Sequence, residues 1–289
     1  MNNFNLNSAK RKKNERIFKY LCQLFTWMSL LILLVLIYHV SIQGLHYLNL
    51  DFLNNYPSRF PDKAGIKSAL WGSTWLISLV FILSVPIGVA SAIYLEEYEK
   101  KGRLARLIEI NIANLAGVPS IVYGILGLTI FVRFFALDRS LIAGALTMSL
   151  LVLPVIIIAA REALRAVPQS IRHGAYALGA TQWQTIYHHV LPASLPGILT
   201  GVILAMSRAI GETAPLIMIG ALTYVAFIPE SVMDPFSTLP IQIFNWASRP
   251  QAAFEEVAAA GIIVLLLVLL TMNATAVLIR NYAQRKYRW

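Results

Sequence analysis

The sequence is poor in charged residues and nearly free of cysteine. Of its 289 residues only 13% are charged, whereas soluble domains average about 25%. This low charge excludes an ordinary soluble domain, and the single Cys22 excludes an internal disulfide and a thiolate metal cluster. The five histidines are scattered, and the neighbours His188 and His189 would point about 100° apart on a helix. We therefore expect no metal site.

The sequence motifs of common enzymes are also missing. There is no G-x-x-x-x-G-K-[ST] phosphate loop, no G-x-S-x-G elbow and no H-E-x-x-H pair. The chain is therefore expected to have no catalytic residues and not to bind ATP by itself. Internal repeats of fixed period are not visible, which disfavours the inverted-repeat plan of many secondary transporters.

What the sequence has instead is long apolar segments. Apolar residues make up 57% of the chain, and its mean hydropathy is +0.65. A membrane-spanning helix needs about 20 consecutive apolar residues. Five stretches meet this requirement without a charge, and a sixth is interrupted only by Arg208 and Glu212. The six are Tyr20–Leu50, Ser68–Leu95, Ile110–Val132, Ser140–Ala160, Ala193–Thr223 and Val257–Ile279. They predict an all-α polytopic membrane protein with six transmembrane helices.

The basic residues predict the orientation of these helices. With the N-terminus placed in the cytoplasm, 17 Lys and Arg residues fall inside and six outside, while Arg208 lies within a span. This asymmetry follows the positive-inside rule and predicts that both termini are cytoplasmic. Residues 1–19 form a basic tail before a single transmembrane domain, residues 20–289. The tail is read mainly as a topology signal, with a polyanion-binding arm as the minor alternative, and nucleic acid is not an expected partner. The first apolar stretch is too long for a cleaved secretory signal.

The loop at residues 162–192 has the pattern of two short helices. Pro168 can begin the first helix, and Gly179 is placed to end it. Thr181–Gln184 then has the form of a T-x-x-Q capping box that opens a second helix, which is expected to reach Leu191-Pro192. One face of the first helix is expected to carry the small residues Gly174, Ala175 and Ala177. From periodicity alone, a partner-docking element and an amphipathic hairpin on the lipid surface are equal alternatives.

This loop resembles the coupling-helix loop of ABC importer permeases, written E-A-A-x3-G-x9-I-x-L-P. Four residues match the motif, and the usual acid, first Ala and Ile are replaced by His173, Gly174 and His189. The matching residues are Ala175, Gly179, Leu191 and Pro192. The resemblance implies that the loop contacts a partner ATPase, through Gly174, Ala175, Gly179, Ala180, Leu191 and Pro192.

A second informative segment, Ser207–Pro215, lies inside the fifth apolar stretch. Ionisable groups at membrane depth usually face a bundle interior or a wet cavity. Arg208 and Glu212 are four residues apart, so they share one helix face and can form an ion pair. Pro215 lacks an N–H, so a bend is expected near Gly211, whose carbonyl loses its helical donor. The guanidinium and two hydroxyls, those of Ser207 and Thr213, would suit an oxyanion. The alternative is an ion pair that only fixes helix packing.

The same segment resembles the S-R-A-I-G-E-T-A-P-L signature of phosphate-specific ABC permeases. The A-type subunit of that family is also similar at Ala116–Gly124 and at Leu239–Trp246. The resemblance extends from about Ala69 to the C-terminus. It implies the type I ABC importer permease fold in a bacterial inner membrane and a role in phosphate import. Other readings remain: a permease for another oxyanion such as sulfate or molybdate, or an ion-coupled carrier that works alone.

Partners and cofactors follow from this resemblance. It implies a second, homologous permease, an ATPase homodimer that binds ATP and Mg²⁺, and an external phosphate-binding protein, all acting at the lipid bilayer. No cofactor is expected in this chain. Gly117, Pro119 and Gly124 fit a broken or closely packed third helix. Gly197 and Gly201 form a weak G-x-x-x-G packing signal, and Trp246 is a candidate either for seating the binding protein or for closing the outer mouth.

Overall fold

The structure, a computed structural model, describes residues 2–99, 102–221 and 224–286. Within these ranges the regular elements are helical. The α-helices are α1 Asn2–Gly44, α2 Leu50–Asn54, α3 Lys67–Ile93, α4 Arg103–Ala116, α5 Ser120–Gly127, α6 Leu141–Arg165, α7 Gln169–Ala177, α8 Gln182–Thr185, α9 Leu191–Gly211, α10 Ala214–Ile219, α11 Leu239–Ala247 and α12 Ala253–Lys286. Short π-helical segments follow three of them: Tyr94–Tyr98 after α3, Leu128–Phe134 after α5 and Ile186–Val190 after α8.

Five of these helices are long and apolar enough to cross a membrane, and a bent pair makes a sixth crossing if it is counted as one span. The five are Arg11–Gly44, Lys67–Tyr98, Leu141–Arg165, Gln182–Gly211 and Ala253–Tyr282. The predicted all-α membrane fold is therefore confirmed. The basic N-terminal tail is continuous with the first span, because α1 already begins at Asn2.

The third apolar stretch is broken near Gly117 and Pro119, which is one of the two arrangements that the sequence predicts. Its two parts, Ala105–Ala116 and Ser120–Phe134, meet at 99°. The break has a local cause, because Pro119 has no N–H and disfavours helical geometry in the residue before it. Tyr123 adds a hydrogen bond across the break. Its hydroxyl donates to the carbonyl of Leu115 at 2.8 Å, and this carbonyl also accepts from the amide of Val118 at 3.1 Å.

The centre of the bundle is α6, which packs between α3 and α9. Its buried side chains include Met148, Ile156 and Leu164. Small residues allow α9 to approach closely: a Cβ added to Gly201 would lie 2.3 Å from the Cβ of Ala159. The G-x-x-x-G pair of α9 therefore forms a real packing surface against α6, in keeping with small-residue interfaces in membranes.

The first helix is peripheral to this bundle. Residues 11–38 of α1 are exposed along their whole length, and burial begins only at the C-terminal end of the helix. There Gly44 fits against α12, since an added Cβ would lie 2.6 Å from the backbone nitrogen of Ala260. A second, smaller core at that end contains Phe52, Trp246 and Phe254. Trp246 is thus a fully buried core residue.

Candidate functional site

The fifth span ends where the sequence predicts a bend. Helix α9 stops at Gly211, and Glu212 has an extended backbone with φ −75° and ψ 126°. Thr213 then precedes the short helix α10, which carries Pro215 in its first turn. The missing N–H of Pro215 is tolerated there because the first turn of a helix has no donor requirement. The predicted opening of the helix is therefore confirmed.

Arg208 and Glu212 form the expected ion pair beside this break. The Nε of Arg208 lies 3.3 Å from Oε1 of Glu212. The Arg208 side chain is 60% exposed and that of Glu212 is 17% exposed. Within the described part of the chain, Arg208 has this one polar partner, so both terminal nitrogens of its guanidinium keep free donors. An anion could bind to these donors without breaking the pair.

The two hydroxyls expected near Arg208 have other partners. Ser207 Oγ lies 2.5 Å from Oδ1 of Asn273 in α12 and 2.7 Å from the carbonyl of Ile203. Thr213 Oγ1 lies 3.5 Å from the carbonyl oxygen of Gly211. Ser207 therefore joins α9 to α12, and Thr213 lies beside the broken end of α9. A direct role for either hydroxyl in a substrate pathway remains a prediction.

Arg208 lines a narrow crevice between α9 and the broken third span. The opposite wall includes Ala116, Val118 and Tyr123. The second part of the third span also touches α10, because an added Cβ on Gly124 would lie 2.7 Å from the Cα of Pro215. Both helix breaks of the protein therefore meet in one region. Broken helices at membrane depth are tolerated where they are buried or line a cavity.

The loop at residues 162–192 has the predicted helix–bend–helix form. Helix α7 ends before Gly179, whose φ of +82° lies in the left-handed region that favours glycine. The capping box is present: the amide of Gln184 donates to Thr181 Oγ1 at 3.3 Å, and the amide of Thr181 donates to Gln184 Oε1 at 2.9 Å. Gly179 has open space around it, with nothing within 4 Å of an added Cβ.

The expected end of the second short helix at Leu191-Pro192 is wrong. Helix α8 continues through the π-helical segment Ile186–Val190 directly into α9. The reason is that the amide of Leu191 bonds to the carbonyl of Ile186, five residues back, and Pro192 then occupies the first turn of α9. From Gln182 onward, the loop is therefore one continuous helical body with the span that carries Arg208. Leu191 and Pro192 are half-buried at its start.

The expected small-residue face is also wrong, because its members point in different directions. Ala175 is buried, whereas Gly174 and Ala177 are exposed. Consecutive helical residues are separated by about 100°, so 174 and 175 cannot share a face. The exposed tip instead carries Leu178, which is 91% exposed. Ala180 is half-buried beyond the bend. The loop thus presents an apolar tip beside a glycine turn.

Sequence reasoning missed a set of ion pairs near this loop. Arg172, counted only as a topology charge, is buried against Glu97. Arg161 bonds both Glu96 at 3.0 Å and Glu109 at 3.1 Å. The sequence did contain a signal for these pairs. Acidic residues stand at the end of one apolar stretch and basic residues at the end of another, and the predicted topology puts both ends on the inner side. Among the described residues, no group of three or more His, Cys, Asp and Glu side chains could hold a metal ion.

Comparison with known proteins finds a matching family model and related sequences. A family model described as "Binding-protein-dependent transport system inner membrane component" matches residues 84–288. The chain is 35% identical to the phosphate transport system permease protein PstA 1 of Mycobacterium tuberculosis, over 78% of this chain and 72% of the relative. It is 32% identical to the phosphate transport system permease protein PstA of Yersinia pestis, over 96% and 93%.

The fold is similar to that of solved transporters. A chain from the crystal structure of a bacterial alginate ABC transporter, in complex with an alginate pentasaccharide-bound periplasmic protein, aligns with a TM-score of 0.66. The alignment covers 92% of this chain and 93% of that chain, at 15% identity. Similarity at this low identity concerns the fold, which is that of type I ABC importer permeases.

Proposed function

Because the chain belongs to the family of binding-protein-dependent transport system inner membrane components, we propose that it is the permease subunit of an ATP-driven importer for inorganic phosphate. The observation that carries this function is the position of Arg208 at the break of the fifth span, in a chain whose relatives are named as phosphate permeases. Those names disfavour sulfate or molybdate as substrate. Membership of this family disfavours a carrier that works alone.

Arg208 would bind the anion during its passage. A guanidinium offers a planar fork that matches phosphate oxygens, and charge-assisted hydrogen bonds are about twice as strong as neutral ones. Glu212 keeps the guanidinium in place through Nε, which leaves the terminal donors of the guanidinium for the anion. Its negative charge also repels the anion, which favours release, and a pathway site must bind weakly enough to let its substrate leave. Neither residue takes part in a chemical step.

The remaining parts of the importer would come from other chains. A second, homologous permease would close the pathway on the exposed side of Arg208. An ATPase homodimer would hold ATP and Mg²⁺ and contact the exposed tip around Leu178 and Gly179, and an external phosphate-binding protein would deliver the substrate. Both termini would be cytoplasmic, since most Lys and Arg residues lie on that side of the predicted topology.

The function can be tested in proteoliposomes that contain this chain with its co-purified partners. Uptake of radiolabelled phosphate should require ATP inside and the binding protein outside. Excess sulfate or molybdate should leave this uptake unchanged. Phosphate uptake without ATP would contradict the importer, and preferential uptake of sulfate or molybdate would contradict the assigned substrate.

A further inference from the structure

Arg172 in α7 and Glu97 in the π-helical segment after α3 form a buried ion pair. Their side chains are only 8% and 6% exposed. Arg172 Nη2 lies 2.6 Å from Glu97 Oε1, and its Nε lies 3.2 Å and 3.3 Å from the two carboxylate oxygens. The contact is a two-nitrogen fork on one carboxylate, the geometry that makes Arg–carboxylate pairs strong and directional.

The same guanidinium also binds the end of α6. Its Nη1 donates to the carbonyl of Val167 at 2.7 Å, and Nη2 donates to the carbonyl of Leu164 at 3.0 Å. The last carbonyls of a helix lack helical donors and favour a nearby cation. On the other side, Gln182 Nε2 at the start of α8 donates to the carbonyl of Glu97 at 2.5 Å. Arg172 and Glu97 therefore tie α7 to the segment after α3 and to the end of α6, and Gln182 adds the start of α8.

The loop between α6 and α9 thus has a rigid base and a free tip. At the tip, Gly174 and Gly179 have no neighbour within 4 Å of an added Cβ. At the base, separating Arg172 from Glu97 would leave a buried charge without its partner, which is strongly unfavourable. A displacement of the loop that keeps this pair intact therefore carries α3 and the end of α6 with it.

We propose that Arg172 and Glu97 are positioning residues that transmit the movement of the coupling loop to α3 and α6. This inference rests on the proposed function, in which a partner ATPase moves the loop. The loop drives α9 directly because α8 and α9 are continuous. Arg172 provides the second connection, to α3 and α6, which both pack against α9. Of these two helices, α6 also lines the Arg208 crevice, through Leu151, Val152 and Val155. With both connections intact, α6 and α9, which line the crevice together, move in one step.

The test compares phosphate uptake with ATP hydrolysis in the reconstituted transporter. In Arg172→Gln and in Glu97→Gln, ATP hydrolysis should stay within about twofold of wild type, while uptake per ATP should fall by at least about tenfold, equivalent to about 1.4 kcal/mol. The matched control is Glu109→Gln, which removes the ion pair of Glu109 with Arg161 on the same side of the protein. The Glu109 side chain is 48% exposed. Exposed ion pairs contribute little to stability, so this control should keep the wild-type ratio of phosphate uptake to ATP hydrolysis.

Two further variants separate transmission from folding. Arg172→Lys keeps the charge but not the fork. Compared with Arg172→Gln, it should therefore restore the ratio of phosphate uptake to ATP hydrolysis only in part. The double variant Arg172→Met with Glu97→Leu replaces the pair by apolar side chains, an exchange that often preserves stability. We expect this double variant to assemble in normal amounts and to hydrolyse ATP with poor uptake.

The opposite results would overturn the inference. One such result is a wild-type ratio of uptake to ATP hydrolysis in the assembled double variant. The other is an equal loss of hydrolysis and uptake in Arg172→Lys. Either result would show that the pair only stabilises the fold. Failure of the proposed function would look different, because the wild-type protein itself would then show no ATP-dependent phosphate uptake.

Discussion

Gly124 of α5 and Pro215 of α10 are in direct contact, and this contact fixes the two broken spans against each other. An added Cβ on Gly124 would lie 2.7 Å from the Cα of Pro215 and 3.0 Å from its carbonyl oxygen. A third close atom is the Cβ of Met218, also at 2.7 Å. Because two of these atoms belong to the backbone, α10 can keep its position only while residue 124 has no side chain.

Replacement of this glycine should therefore damage both stability and transport. We expect Gly124→Val to lower the free energy of unfolding by about 1–3 kcal/mol, as overpacking does elsewhere, and to reduce phosphate uptake because α10 must shift. Thermal unfolding in detergent and uptake in proteoliposomes measure the two effects. The control is Gly117→Ala, where the nearest atom is 3.5 Å from the added Cβ. Equal stability and uptake in the two variants would refute the tight contact.

Removal of the Arg208 guanidinium should abolish transport without preventing assembly. We expect Arg208→Gln to lose phosphate uptake, because the anion loses its charge-assisted donors. Arg208→Lys should rescue poorly, since an ammonium has no planar fork. Uptake and co-purification with the partner chains are the measurements. Wild-type uptake in Arg208→Gln would contradict a role for Arg208 in binding the anion.

An exchange of the two charges tests whether the pair acts only in packing. The double variant Arg208→Glu with Glu212→Arg keeps an i,i+4 ion pair on the same helix. If Arg208 binds the anion, this variant should assemble yet transport poorly, because the guanidinium now lies one turn away. Full recovery of phosphate uptake would favour the packing interpretation.

A bulky side chain at Gly179 should uncouple the permease from its ATPase. The exposed tip has room for tryptophan in the isolated chain, so Gly179→Trp should still insert into the membrane while its side chain blocks the docking surface. Because a φ of +82° is unfavourable for L-residues such as alanine, Gly179→Ala measures the backbone effect alone. We expect stimulated ATP hydrolysis to fall further in Gly179→Trp than in Gly179→Ala. Normal transport with normal stimulation in Gly179→Trp would contradict docking at this bend.

The membrane topology can be tested with reporter fusions. A reporter active only outside the membrane should be silent after residue 289 and active when it is inserted at residues 231–233, an exposed segment beside Asp234. Asp234 itself should be spared, because its carboxylate accepts hydrogen bonds from the amides of Glu230 and Ser231 at 2.8 Å. The reverse pattern of activity would overturn the inside–outside assignment.

Local sequence determined many structural features of this protein. Apolar length defined the five spans and the bent pair that makes a sixth if it is counted as one span. Pro119 and Pro215 defined the breaks near them, and the T-x-x-Q segment defined a helix start. The i,i+4 spacing brought Arg208 to Glu212. Apart from the apolar length, each of these features depends on residues within about one helical turn, where backbone geometry alone decides which groups meet.

Only the tertiary structure decided which helix faces meet. Glu97 and Arg172 are 75 residues apart, and their pairing depends on how α3 and α6 lie side by side. The same packing turns Ala175 inward while Gly174 remains exposed, and it gives Ser207 a partner in α12 rather than a place beside Arg208. Periodicity shows that a helix has faces, but it does not show which neighbour covers each face. That choice depends on the summed burial and hydrogen bonding of all the helices together.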